Sequence, residues 1–283
     1  MIRLAISNIA WEPPENDAVA TVLRTAGLCA VELAPTKWKE APLTASLTDI
    51  ACYRKEWEWR ELHVVAMQAL LFGRPELQLF GEESSRTAML DYLKRIVELG
   101  AGLGAKAFVL GSPKNRARGN TSPADAMKIA EGFFTALGEH AQQHSATICV
   151  EANPPAYDCD FITSTAEAVE LCRRVSHPAV RVNVDLGGIT MNGEDPARAI
   201  HTAAEFIGHF HASEPNLQPL GAQSDHRAAA AALVEIGYDK CISIEMRAVG
   251  EGKNVVAVEA AVKCAKDAYA PVLSDRRSGE KNS

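Results

Sequence analysis

Thr147-Ile-Cys-Val-Glu-Ala-Asn-Pro-Pro155 is the stretch whose reading decides the fold. It is short, apolar and β-branched, it ends on a carboxylate, and Asn-Pro-Pro stops it because proline cannot continue a hydrogen-bonded ladder. In a strand, Ile148 and Val150 point to one side and Cys149 and Glu151 to the other, so Glu151 faces away from the greasy side. The same arrangement recurs three times downstream. Arg181-Val-Asn-Val-Asp185 sets Asp185 opposite Val182 and Val184. Gly208-His-Phe-His211 sets His209 and His211 opposite Phe210, and Cys241-Ile-Ser-Ile-Glu245 sets Glu245 opposite Ile242 and Ile244. Four successive strands thus end on Glu, Asp, His and Glu, all on the polar side.

Working outward, four more strand patterns precede these, at Ile2–Ser7, Ala30–Ala34, Leu62–Gln68 and Lys106–Leu110. Helical patterns lie between and after the strands, at Glu15–Thr25, Thr48–Glu61, Ser84–Leu99, Pro123–His144, Thr163–Val175, Pro196–Ala204, Asp225–Ile236 and Asn254–Tyr269. Strict alternation of strand and helix demands a parallel sheet, and eight of each close into a (β/α)₈ TIM barrel, class α/β. A doubly wound open sheet is disfavoured, since no G-x-G-x-x-G follows the first strand. The expected organisation is one barrel domain over residues 1–270 and a disordered tail over 271–283. Ala69–Gly81, broken by Gly73 and Pro75, reads as a loop over the barrel mouth, and the basic Asn115–Ser122 as a mobile loop.

Composition limits the partners. Apolar residues make up 47% and charged residues 23%, ordinary for a globular chain, and a net charge of -7 argues against a nucleic-acid partner. No apolar run is long enough to span a bilayer, and Asn8, Trp11 and Glu12 follow the short Met1–Ser7 stretch too soon for a signal peptide. Seven cysteines without a C-x-x-C pair read as reduced thiols in a cytoplasmic protein, not as a structural zinc site. Whether the chain forms a homo-oligomer stays open.

In a barrel, the C-terminal strand ends converge on one face. Glu151, Asp185, His211 and Glu245 are therefore expected to meet around one divalent metal. Carboxylate oxygens with one imidazole suit Mn²⁺ best, with Mg²⁺, Co²⁺ and Zn²⁺ as alternatives. Without a cation, three carboxylates at one mouth would repel one another.

The motifs V-E-A-N-P-P, N-V-D-L-G, H-F-H-A-S-E-P and I-G-Y-D-K-C-I-S-I-E-M-R resemble those of the xylose isomerase-like TIM barrel superfamily, the sugar phosphate isomerase/epimerase family. The resemblance covers nearly the whole chain. It implies a metal-dependent isomerase or epimerase acting on a keto-sugar or related polyol, in which Glu151, Asp185, His211 and Glu245 hold the ion. Glu151 and Glu245 would also move protons, through a metal-stabilised enediolate. Two departures stand out. Epimerases of this group place a His three positions after the metal-binding Asp, where this chain has Gly188. The segment Asn216–Asp225 lacks the group's Arg and Gly-x-Gly loop.

Around this set, Trp11, Glu32, Gln68, Asn153, His209 and Arg247 fall at or near strand ends and are candidate substrate-binding residues for a small carbohydrate. His226 and His177 read mainly as loop and helix-start residues, and Lys114, Arg116 and Arg118 as solvated charge. A lyase acting on a keto-sugar, inosose or 3-keto-glycoside is the alternative enzyme, since the same enediolate can expel a β-substituent. Abasic-DNA cleavage lacks its further ligands and basic groove. A non-catalytic sugar sensor has no need for two glutamates. The barrel itself hosts many chemistries, so function rests on the strand-end residues.

Overall fold

A computed structural model of the chain describes residues 3–274. Eight parallel strands form a closed barrel in sequence order: β1 Leu4–Ser7, β2 Ala30–Leu33, β3 His63–Met67, β4 Ala107–Leu110, β5 Thr147–Glu151, β6 Val180–Asp185, β7 Ile207–Ser213 and β8 Ile242–Glu245. Closure is made by β1 pairing with β8. Around it run α1 Asn16–Thr25, α2 Leu47–Trp59, α3 Glu83–Leu103, α4 Pro123–Gln143, α5 Thr165–Val175, a short α6 Leu186–Met191, α7 Pro196–Ala203, α8 His226–Glu235 and α9 Asn254–Ser274. The expected TIM barrel is the observed one.

The alternation along each strand divides the molecule into two interiors. Ile6, Val31, Phe108, Ile148, Val150, Val182, Val184, Phe210, Ile242 and Ile244 are buried between sheet and helices. The other parity fills the barrel itself, where Ala66, Ala107, Val109 and Cys149 form a small apolar cluster of their own. Opposite this cluster the lumen is polar. Gln68 on the β3 end donates to Ser7 of β1, and Ser243 of β8 donates to Glu32 of β2. Buried polar groups must find partners, so these bonds across the lumen set which side chains the barrel can hold.

Most helices begin at the mouth with a side-chain cap: Ser46, Ser122, Ser164, Asp185, Asp195 and Asp225 each accept from a first-turn N–H. The short α6 has no counterpart in the sequence reading, and three other segments differ from it. The helix expected to stop at Leu99 continues through Gly100 and Gly102 to Leu103. A Cβ on Gly100 would fall 2.3 Å from Met67 Sδ and 2.4 Å from Phe108, so this glycine permits close helix–sheet approach, and the stop is Gly104 at φ 108°. The Asn115–Ser122 segment is tied down. Asn115 donates to Arg74 and Leu77 carbonyls, Arg116 is buried beside Ile162 and Cys159, and Arg118 bonds Asp160 and Thr121. Arg116 is thus not the solvated charge expected of it. At the C-terminus α9 passes through Pro271 to Ser274, and the rest of the expected 271–283 tail lies outside the described residues. Among the described residues no helix is long and apolar enough to cross a membrane.

Candidate active site

Strand direction places Glu151, Asp185, His211 and Glu245 at one end of the barrel. One ligand atom each from Glu151, His211 and Glu245 lies within 4.8 Å of the others. His211 Nδ1 is 3.3 Å from Glu151 Oε1 and 3.2 Å from Glu245 Oε2, yet aligned for a hydrogen bond with neither, so this buried nitrogen has no partner. Its other nitrogen, Nε2, is 3.2 Å from Glu32 Oε2. With the proton on Nε2, the Nδ1 lone pair points between two carboxylates, as a metal-binding imidazole requires. Asp185 is the register partner of His211 but stands outside that trio. It caps α6, accepting from Gly188 N at 2.8 Å, and accepts a short hydrogen bond from Ser213 Oγ.

The electrostatics follow from burial and crowding. Burial pushes Asp185 up, with the Glu245 and Glu151 charges adding to it, to about 7. Burial also raises Glu245, and Glu151 reinforces the shift against the opposing pull of His211. Glu151 goes the other way. Burial opposes its charge, but His211, Asn153 and Asn183 outweigh it; Asn183 Nδ2 donates to one oxygen at 2.7 Å and Asn153 Nδ2 to the other at 2.9 Å. For His211, burial disfavours the cation, yet Glu245 and Glu32 hold its pKa well above the ordinary value. The acids thus favour positive charge at this position. A divalent ion would replace the His211 proton. The orphaned Nδ1 and the surplus of buried carboxylates fit a cation held by Glu151, His211 and Glu245 with Asp185 beside them.

Glu151, Asp185 and Glu245 line a cavity of about 360 Å³, with His211 buried behind them. Its wall includes the expected Gln68, Asn153 and Arg247, together with Gly111, Tyr157 and Asn216, which the sequence reading did not single out. Trp11, Glu32 and His209 do not line it. Trp11 is 1% exposed in the core, its indole donating to Asn16. Glu32 and His209 lie a layer deeper: Glu32 accepts from Ser243 and neighbours both imidazoles, which hold its carboxyl below the usual range although burial alone would raise it. His226 is also structural, between Tyr269 and the buried Glu214, and His177 accepts from Ala179 N.

Two of the unanticipated groups carry physical signals. Gly111 faces Glu151 so closely that a Cβ there would fall 2.3 Å from Oε2. Asn183 shares the parity of Asp185 in the sequence, which puts it on the lumen side, while its bond to Glu151 follows from their being register partners on β5 and β6. Backbone strain also gathers at the mouth: Ala69, Ser112, Asn216 and Leu217 line the cavity with φ between 47° and 60°. Tyr157 Oη accepts from Asn216 N and Leu217 O from Arg247 N, which holds this strained turn over the cavity. A larger cavity, about 700 Å³, opens at the opposite end among Arg3, Lys106, Arg181 and Lys240, but Glu151, Asp185 and Glu245 do not reach it.

The fold has many solved counterparts. A D-psicose 3-epimerase with D-tagatose from Clostridium cellulolyticum H10 is 14% identical over 95% of this chain and 99% of its own, with a TM-score of 0.78. The 3-keto-D-glucoside 4-epimerase YcjR from E. coli is 17% identical over 94% and 100%, TM-score 0.76, and the IOLI protein with a binding zinc atom is 19% identical over 98% and 100%, TM-score 0.72. At such identities the likeness establishes the fold alone. Comparison with curated protein sequences returns no match. The family model described as xylose isomerase-like TIM barrel matches residues 20–268, and the chain belongs to that family.

Proposed function

We propose that this protein is a divalent-metal-dependent sugar isomerase or epimerase that moves a proton on a carbon next to a carbonyl of a keto-sugar or related polyol. The observation that carries the reading is the unpartnered, buried Nδ1 of His211, set between Glu151 and Glu245, which themselves line a cavity of about 360 Å³. Glu151, His211 and Glu245, with Asp185 adjoining, are the residues that would hold the ion. When bound, it supplies Lewis acidity to the substrate's carbonyl and neighbouring hydroxyl oxygens. The structural counterparts that act on D-psicose and 3-keto-D-glucoside support a small carbohydrate substrate.

The two glutamates are unequal, and the inequality assigns roles. Burial raises the pKa of Glu245, and no side-chain donor is aligned on its carboxylate among the described residues, so it holds a proton more readily than Glu151 does. Glu151 is fixed by two asparagine amides and held ionised. In this reading the ionised Glu151 removes the proton from one face and Glu245, the readier of the two to hold a proton, delivers one to the other. Gln68, Asn153 and Arg247 offer hydrogen bonds to hydroxyl groups along the wall. Glu32 touches no substrate; it orients His211.

The test is to incubate Mn²⁺-loaded protein in deuterated water with keto-sugars, inositols and 3-keto-glycosides. Deuterium entering one carbon of a product otherwise unchanged in composition supports the reading. Loss of water or of an aglycone would assign a lyase instead, and the absence of exchange across the panel would refute both.

A further inference from the structure

Away from the barrel mouth, the C-terminal ends of α3 and α4 lie side by side at the opposite face, just before β4 and β5 begin. There His140 and His144, four residues apart, share one face of α4 and its cap, their rings 4.8 Å apart. Glu98 of α3 reaches the same point: its Oε1 is 3.3 Å from His140 Nε2. One ligand atom from each of the three lies within 4.8 Å of the others. His140 Nε2 is buried yet, despite facing a carboxylate, makes no hydrogen bond. A nitrogen removed from water and left unpaired beside a carboxylate has its lone pair free for a cation.

We propose that Glu98, His140 and His144 form a second metal site, a peripheral staple that ties α3 to α4 and takes a borderline divalent ion such as Zn²⁺. Two imidazoles and one carboxylate oxygen suit Zn²⁺, Ni²⁺ or Cu²⁺ rather than Mg²⁺ or Mn²⁺, whereas the oxygen-rich set in the mouth accepts the harder ions. The half-buried His144 and exposed Glu98 have the freedom to close on an ion that binds ligands at about 2.0–2.1 Å. Burial, with His144 beside it, keeps His140 below its ordinary pKa and hence in the neutral, ligating form. Lys94, a turn before Glu98 on α3, is the nearby cation that opposes the ion.

Titration of metal-free protein with ZnCl₂ and MnCl₂ at pH 7.5, by calorimetry and by thermal melting, tests this. The wild type should bind about two equivalents of Zn²⁺ and about one of Mn²⁺. His144→Ala, and independently Glu98→Gln, should lose one Zn²⁺ equivalent and part of the Zn²⁺-induced rise in Tm while keeping the Mn²⁺ equivalent. A Glu151→Ala/Glu245→Ala protein should lose the Mn²⁺ equivalent and keep the peripheral Zn²⁺, so failure at either site is told from failure at the other. The staple is overturned if both peripheral variants titrate with zinc as the wild type does.

Discussion

Replacing Gly111 with alanine is a sharp test of the mouth geometry. The added methyl would lie 2.3 Å from Glu151 Oε2, where ordinary contact begins at 3.4 Å, so the carboxylate must retreat by about 1 Å. Gly111 is not among the residues with positive φ, so its backbone accepts alanine, and the group that must move is the far end of a side chain. The fold is therefore spared: Gly→Ala at a compatible site typically adds about 0.4–1 kcal/mol by restricting the unfolded chain. Against this stands the loosening of the Asn153 and Asn183 bonds to Glu151, on the order of 1–3 kcal/mol for hydrogen bonds to a charge. Thermal stability should thus change by only a few degrees. The site is not spared. A displacement of about 1 Å in a reacting group costs about 10²-fold, equivalent to about 2.7 kcal/mol of barrier. The assays are Mn²⁺ affinity by calorimetry, which needs no substrate, and the rate of solvent-deuterium incorporation into whichever sugar the panel identifies. A folded Gly111→Ala protein with wild-type metal affinity and turnover would refute the placement of Glu151 at the reacting centre.

Further outcomes follow from the same geometry. Glu245→Gln and Glu151→Gln should each lower turnover by about 10³-fold or more with the melting temperature little changed, since the amide keeps the shape but cannot carry the proton. Metal affinity should rise with pH through about 7: Asp185, pushed up to about 7, and His211, raised well above its ordinary value, both shed protons before or as the ion binds. Calorimetry in buffers of different ionisation enthalpy would reveal that proton release, and a pH-independent affinity would contradict the assignment. Gly187→Ala should instead destabilise the protein by about 1–3 kcal/mol, because its methyl would meet the rigid Glu214 carbonyl at 2.7 Å; urea unfolding measures this.

What the chain settled by itself is the architecture and the face on which chemistry gathers. Eight apolar runs alternating with helical periodicity admit one closed parallel sheet. The period of two along a strand then decides that Glu151, Asp185, His211 and Glu245 leave the lumen at the same end. Local spacing carries that information. It does not carry distances between strands far apart in sequence, and those decided the rest. His209, two residues before His211, is one layer deeper by local spacing, but Glu32 ends its strand and still stands below the cavity, because strand stagger fixes depth. Asp185 is diverted to capping α6, a helix too short to show periodicity, while Gly111 matters only because β4 and β5 are neighbours and Glu151 needs the space where a side chain would be. The pairing of Glu98 with His140 likewise exists only where two helices meet. Tertiary packing alone brings such groups together, since a contact across the fold depends on the relative depth and rotation of whole elements, and no single segment encodes either.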